Sequence, residues 1–532
     1  MTIGQYFKFL SGPRWQSEAI KWPPDLFALC ASVLQKSGGY ICAVSDWPPP
    51  GERSGAAWRW RAQRIGKQWR AQCLYGRCPT EVRRWWNQVI QQSHLGLEEL
   101  SPPRGLGLCQ TLVQLCGCAD EACAGIGLPE QEDAFDREVL NVFVDQFRKR
   151  QTISTVCKTV SHNVLCVLPK MHTPQKGITI RSLSHHLALC PSGEASPTWV
   201  RFWSRFREGI QQRLSLLIVP WPEIVSRRQF NKVARKGLLR NMPSGYGFFS
   251  YDGRGGGPFP LDRFERILRA SQAQSDEVQG VVLPELAVLD TDLPEIWKRL
   301  AMVLPGAFLI AGVGSAPLKK ECYSKNEVAC WFSSPRKGVP VPTSQKKHHR
   351  WLLDSSQLQQ YGLTHRLGGQ LLWENIGLGT RELKFFPLTG SLTLCSLICE
   401  DLARPDPIGD LIRAVGPNLV IALLMDGPQL AHRWAARYAA VLADDPGSSV
   451  LSLTSIGMAR LSTPLGKPES RVVALWKDAS RGPFEIELPQ GADALVLNLS
   501  LDRTEEWSAD GRTDGGAAGR WVLQTVSPIA AP

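Results

Sequence analysis

Three short segments carry the residue types that covalent catalysis by a thiol needs: a cysteine, a carboxylate to take its proton and a cation beside it. SLTLCSLIC (391–399) is an apolar run that ends in Cys399, with Glu400 and Asp401 directly after it. A cysteine at a strand-to-turn junction exposes its sulfur and leaves a free backbone N–H just behind it. VVLPELAVLD (281–290) delivers Pro284 and then Glu285 from a second apolar run. A carboxylate at the mouth of such a strand is costly to bury in its charged form. Glu285 should therefore have a raised pKa or a close cation. SQKKHHRW (344–351) is a cationic knot in which Lys346 and Lys347 are both candidates for that cation.

These residues need elements that converge at one end. From residue 214 onward the chain alternates short apolar runs with amphipathic ones. SLLIV (215–219), GVVLP (280–284), AFLIAGVG (307–314), SVLSLTS (449–455), RVVALW (471–476) and ALVLNLS (494–500) read as strands. NLVIALL (418–424) is apolar throughout, as a strand covered on both faces should be. LDRFERILRASQAQ (261–274) places Leu261, Phe264, Ile267 and Leu268 on one helical face, and AHRWAARYAAVLAD (431–444) reads as another helix. The pattern is that of an α/β fold.

LPE, a Lys-x-His segment and a strand ending in CED, in that order, resemble the Glu-Lys-Cys triad of the nitrilase, or carbon–nitrogen hydrolase, superfamily. The following NLVIALLMDGP and HRWAARYAAVLADDPGSSVLSLTSIGMA are similar to that family's next strand, substrate-side loop, helix and strand. The resemblance covers about residues 213–500. It implies a nitrilase-like α-β-β-α sandwich that cleaves a non-peptide carbon–nitrogen bond of a small amide-like molecule through a Cys thioester, with no cofactor and no metal. By the same resemblance Cys399 is the nucleophile, Glu285 the general base and acid, and Lys347 the cation for the oxyanion, assisted by the Glu400 backbone N–H. The family's second glutamate falls on Glu374, 25 residues before Cys399, with Glu382 as runner-up. Asp401 reads as a turn-capping or structural acid, Cys395 as core and Asp426 as a candidate pocket acid. Two departures matter. The segment from Lys347 to Glu374 is long for the family, which implies an insertion at the pocket mouth. CEDLARPD stands where many relatives have C-x-D-x-R-F-P, which leaves the substrate class open.

The rest of the chain needs its own account. With 532 residues, two domains are expected, since one core rarely exceeds ~250–300 residues. Residues 1–150 read as a Trp/Arg-rich, mainly helical module, 151–212 as a short β-rich connector, 213–500 as the hydrolase domain and 501–532 as a polar flexible tail. Strands are expected at 152–160, 163–171 and 177–184, and a domain boundary at about 205–213. SDWPPPGERSG (45–55) and RGGG (254–257) read as loops. A chain beginning at residue 213 is expected to keep the triad geometry. The net charge of +12 and pI of about 9.1 admit an acidic partner. Arg59, Arg61, Arg64, Lys67 and Arg70 alternate with Trp58, Trp60 and Trp69, which admits nucleic acid, although a packing face or a protein partner, including a second copy, is favoured. The alternatives to an enzyme with a regulatory N-terminus are a non-catalytic scaffold of the same fold and an effector of a bacterial conflict system whose basic N-terminus recognises nucleic acid. Fifteen cysteines in a chain with no signal-like segment are expected to be mainly reduced and buried, in a cytoplasmic protein. The Cys109–Cys123 cluster lacks paired metal-ligand spacing, and His185 and His186 read as packing residues. No apolar run reaches the ~18 residues that span a bilayer, so no membrane association is expected.

Overall fold

The computed structural model describes residues 1–41, 54–100, 105–127, 152–191, 193, 195–200, 212–233, 243, 245–253, 257–274, 277–315, 323–333, 340–369, 371–379, 381–463 and 467–531. Most of the 45–55 loop, residues 128–150 of the helical module, residues 205–211 of the expected boundary and residues 254–256 of RGGG lie outside these. At the coarse level a mainly helical N-terminal region precedes a region of mixed sheets and helices.

In the N-terminal region, Pro23–Ser37 is a helix with proline in its first turn and Gly38 in the left-handed conformation at its end. Leu26, Leu29, Cys30 and Val33 are fully buried on it. Helices Gly55–Cys73 and Thr80–Gln91 bury Trp58, Trp69 and Trp86, while Trp60 is 78% exposed. Arg61 lies over the Trp85 ring, 5.4 Å from its centroid. Arg70 is buried and donates to the carbonyls of Glu121 and Ala122 on helix Leu106–Ala122.

Among the described residues one sheet has eight strands, in the order Thr152–Ile153, Ala195–Val200, Arg381–Thr389, Leu392–Ile398, Leu419–Leu424, Ser449–Thr454, Val472–Lys477 and Phe484–Glu487. A second has seven: Pro340–Lys346, Asn326–Ser333, Phe308–Gly314, Gly280–Leu289, Arg213–Ile218, Ala494–Thr504 and Ala518–Ile529. Alternation assigns the faces of the second sheet. Leu217, Val281, Leu283 and Leu309 pack with Phe264, Leu268, Ile296 and Leu300 of helices Leu261–Gln274 and Leu293–Val303. Leu216, Ile218, Val282, Phe308 and Ile310 face the other way, into a core shared with Leu394, Val420 and Leu451 of the first sheet.

Three expectations need correction. Of residues 152–160 only Thr152–Ile153 is a strand. Residues 177–184 are not a strand: Ile180–Leu183 is a 3-10 helix closed by a Thr179–Ser182 capping box, and Arg181 is buried on it. Residues 501–532 are not a tail. The strand from Ala494 continues to Thr504, and Ala518–Ile529 returns antiparallel to it. The polar, glycine-rich stretch between them is held by buried ion pairs of Arg512 with Asp120, Glu121 and Asp510. Its charges have partners about 390 residues away in the chain, which composition does not reveal.

Candidate active site

Cys399 follows strand Leu392–Ile398, whose seven side chains are all buried. That strand runs parallel to Leu419–Leu424 with Ile398 opposite Leu423, and the Cys399 N–H donates to the Leu423 carbonyl at 2.8 Å. A short helix, Glu400–Ala403, starts immediately afterwards. Between strand and helix Cys399 adopts φ +46° and ψ −108°. A non-glycine residue held there costs on the order of 1–3 kcal/mol and persists only where its surroundings fix it. The residue is 4% exposed. Burial pushes the thiol pKa well up and Glu285 adds to this, while Lys347 opposes it. Burial and Glu285 both favour the neutral thiol at Cys399.

Strand Gly280–Leu289 pairs with Phe308–Gly314, and its register slips between Leu283 and Val288. Glu285 lies in this irregularity, next to Leu286 at φ +53°. Gly312 faces it. A Cβ there would lie 2.3 Å from the Pro284 carbonyl oxygen and 2.4 Å from Glu285 Cα, so only glycine admits the distorted strand.

Lys347 follows strand Pro340–Lys346, and its backbone N–H donates to the Asn326 carbonyl at 3.0 Å. Its Nζ donates to Glu285 Oε1 at 2.8 Å and to Glu374 Oε2 at 2.7 Å. Asn326 Nδ2 donates to Oε1 of both glutamates at 2.7 Å. The Trp351 N–H donates to Glu374 Oε2 at 3.2 Å. Burial works against charge on Lys347, but Glu285, Glu374 and Cys399 outweigh it and hold its pKa well above the usual lysine value. Burial raises the Glu285 carboxyl above the usual glutamate range, against the pull of Lys347. Among the described residues Glu285 Oε2 is buried with no hydrogen-bond partner. An ammonium has three donors, so one N–H of Lys347 is uncommitted.

Asp401 joins the cysteine turn to the lysine loop. Both of its oxygens accept the His348 N–H at 3.1 Å, and Oδ1 also accepts the His349 N–H at 3.0 Å, with His349 Nδ1 a further 3.0 Å contact. Beyond that loop the chain forms strand Leu352–Leu353, helices Ser355–Gln360 and Thr364–Leu367, and strand Leu371–Glu374. These pack with strands Phe230–Val233 and Tyr246–Tyr251 around a small core containing Phe230, Phe249, Trp351, Leu358 and Leu372. This subdomain reaches the end of the strand beside Cys399: the Tyr361 hydroxyl donates to Asp426 Oδ1 at 2.7 Å. Arg433 Nη2 donates to the same oxygen at 2.7 Å and Trp434 Nε1 to Oδ2 at 2.9 Å.

With this geometry in place, the chain can be set beside known proteins. The Nit3 protein of Saccharomyces cerevisiae, from branch 10 of the nitrilase superfamily, is similar at 12% identity and a TM-score of 0.35, over 54% of this chain and 90% of that one. A Nesterenkonia amidase in complex with acrylamide is similar at 13% identity and a TM-score of 0.31, over 55% of this chain and 92% of that one. The glutamine-dependent NAD+ synthetase of Acinetobacter baumannii is similar at 10% identity and a TM-score of 0.31, over 54% of this chain, which spans 45% of that synthetase. No protein-family model matches the sequence, and no curated protein does.

The buried array brings together Glu285, Lys347 and Glu374. Lys346 is exposed. Glu382 is engaged elsewhere, accepting from Thr198 and pairing with Lys384. The Glu400 side chain pairs with Arg404, leaving its backbone N–H as the group next to the nucleophile. Cys395 is fully buried in the core. His185 and His186 lie among packed side chains near Asp120, which accepts both of their backbone N–H groups. Among the described residues no group of three or more His, Cys, Asp or Glu side chains is placed to hold a metal. Also among these residues, no helix is long and apolar enough to cross a membrane. Sequence reading passed over Asn326. Its only signal was an amide at the head of the apolar run NEVACWF.

Proposed function

We propose that this chain is a carbon–nitrogen hydrolase that cleaves a small amide-like molecule through a thioester on Cys399, within a nitrilase-like α-β-β-α sandwich. The observation that carries this reading is the buried Lys347 ammonium between Glu285 and Glu374, in the same site as a cysteine held at positive φ. Glu285 Oε2 takes the Cys399 proton as sulfur adds to the carbonyl carbon. The oxyanion that forms accepts the third N–H of Lys347 and the Glu400 backbone N–H, both in place before reaction. Collapse breaks the carbon–nitrogen bond, and the leaving amine receives the proton from Glu285. The same carboxylate then takes a proton from water. Hydroxide adds to the thioester, and the acid leaves as Cys399 recovers its proton.

The test is a panel of small amides offered to full-length protein, with mass spectrometry of samples quenched during turnover. An acyl adduct on Cys399 and its absence from folded, inactive Cys399→Ala are expected. Undiminished turnover by folded Cys399→Ala would remove the proposal.

A further inference from the structure

Asn326 touches every charged member of the array, although it carries no charge itself. It heads strand Asn326–Ser333, which is hydrogen-bonded on one side to Phe308–Gly314 and on the other to Pro340–Lys346. Glu327 pairs with Lys346, so Asn326 comes beside Lys347 and its carbonyl accepts the Lys347 N–H. The side chain is buried, and both hydrogens of its Nδ2 are used, one on each glutamate. This fixes the amide's orientation: a flip would set Oδ1 against two carboxylates. Its Oδ1 is buried with no protein donor. The fold thus keeps an unmatched acceptor on one side of the amide while both donors serve the carboxylates.

We propose that Asn326 is a positioning residue that fixes Glu285 and Glu374 on either side of the Lys347 ammonium and leaves Oε2 of Glu285 as the free acceptor for the Cys399 proton. Without the amide, Oε1 of Glu285 keeps only the lysine as a donor, and the carboxylate can turn to place both oxygens on it. The proton acceptor is then lost from the array, and the charged form of Glu285 loses a hydrogen bond that favours it. This inference rests on the general-base role given to Glu285 above, but its test needs no substrate.

The experiment follows alkylation of Cys399 by iodoacetamide against pH in the full chain, with peptide mass spectrometry to separate Cys399 from the other cysteines. Wild type, Asn326→Leu, Asn326→Asp and Asn326→Gln are compared, with Glu285→Gln as reference. In Asn326→Leu and Asn326→Asp the acidic limb of the profile is expected to move up by about one pH unit and the neutral-pH rate to fall about tenfold, since a lost donor or an added like charge both raise a carboxyl pKa. Asn326→Gln, which can still donate, should recover part of the loss. A wild-type profile in folded Asn326→Leu overturns the proposal, and so does failure of all three variants to fold, which would assign Asn326 to the scaffold. If Glu285→Gln alkylates like wild type, the general-base reading fails instead. If no amide is ever turned over, the proposed reaction fails while the profile still decides the role of Asn326.

Discussion

Lys347 keeps its charge in a place that should strip it away. Two carboxylates do this, and they leave one N–H for an incoming oxyanion. A preorganised donor of this kind is worth ~2.7–4 kcal/mol, or about 10²–10³ in rate. Lys347→Ala should therefore lower kcat by about that factor, whereas exposed Lys346→Ala should stay close to wild type; steady-state kinetics with equal loss in both variants would reject the assignment. The pH profile has a defined sign. The base must be deprotonated, and burial raises the Glu285 pKa. Activity should thus fall as pH drops through a value above the ordinary glutamate range of ~4.3, while the raised Lys347 pKa keeps the cation present into strongly alkaline solution. A kcat/KM acidic limb at or below the ordinary glutamate value would contradict the buried environment. Glu285 and Cys399 stand out in the sequence because each is a chemically distinctive residue at the end of an apolar run, whereas Lys347 lies in the cationic knot SQKKHHRW. The choice between Lys346 and Lys347 was not legible. Neighbouring strand residues face opposite ways, and only the register of Pro340–Lys346 against Asn326–Ser333 decides which one turns inward.

Elements matter here through the short links between their ends. The cysteine turn belongs to the first sheet and the lysine loop to the second, and Asp401 joins them by accepting two backbone N–H groups. The sequence reading of Asp401 as a turn-capping or structural acid does not say which loop it holds, because that loop lies 52 residues before it, at His349. The length of the segment from Lys347 to Glu374 is legible in the sequence. Its form is not, since Leu371–Glu374 acquires a partner only by pairing in parallel with Tyr246–Tyr251. If Asp401 sets the spacing between nucleophile and cation, Asp401→Ala should reduce kcat more than its effect on stability suggests. A displacement of about 1 Å in such a site can cost on the order of 10²-fold. Parallel measurement of kcat and Tm tests this: a lower Tm with unchanged kcat would confine Asp401 to a structural role.

For the whole molecule, the question is whether residues 213–532 can stand without residues 1–212. Sequence reading expects so, because every triad member falls after residue 213 and the N-terminal composition differs. The packing argues otherwise. One continuous core includes Phe7, Trp58 and Trp199 together with Leu394 and Leu419. Strand Ala195–Val200 pairs in parallel with Arg381–Thr389, and Trp199 packs on Phe385 with ring centroids 5.9 Å apart. The Met171 N–H donates to the Val415 carbonyl, at the end of helix Asp410–Val415. At the far end of the chain, fully buried Arg512 pairs with Asp120 and Glu121 of the N-terminal helices as well as with its neighbour Asp510. Removing one partner from a buried ion pair costs ~3–5 kcal/mol, which is a large part of the ~5–15 kcal/mol that holds a domain together. A chain beginning at residue 213 would lose the two N-terminal carboxylates and a neighbouring strand, and would bare apolar surface that promotes aggregation. It should be insoluble or melt without cooperativity. Arg512→Leu in the full chain should lower Tm and soluble yield without touching the array around Cys399. Expression of the 213–532 fragment as a soluble, cooperatively melting monomer would show that the helical region is a separable module and that Arg512 only ties two independent folds together.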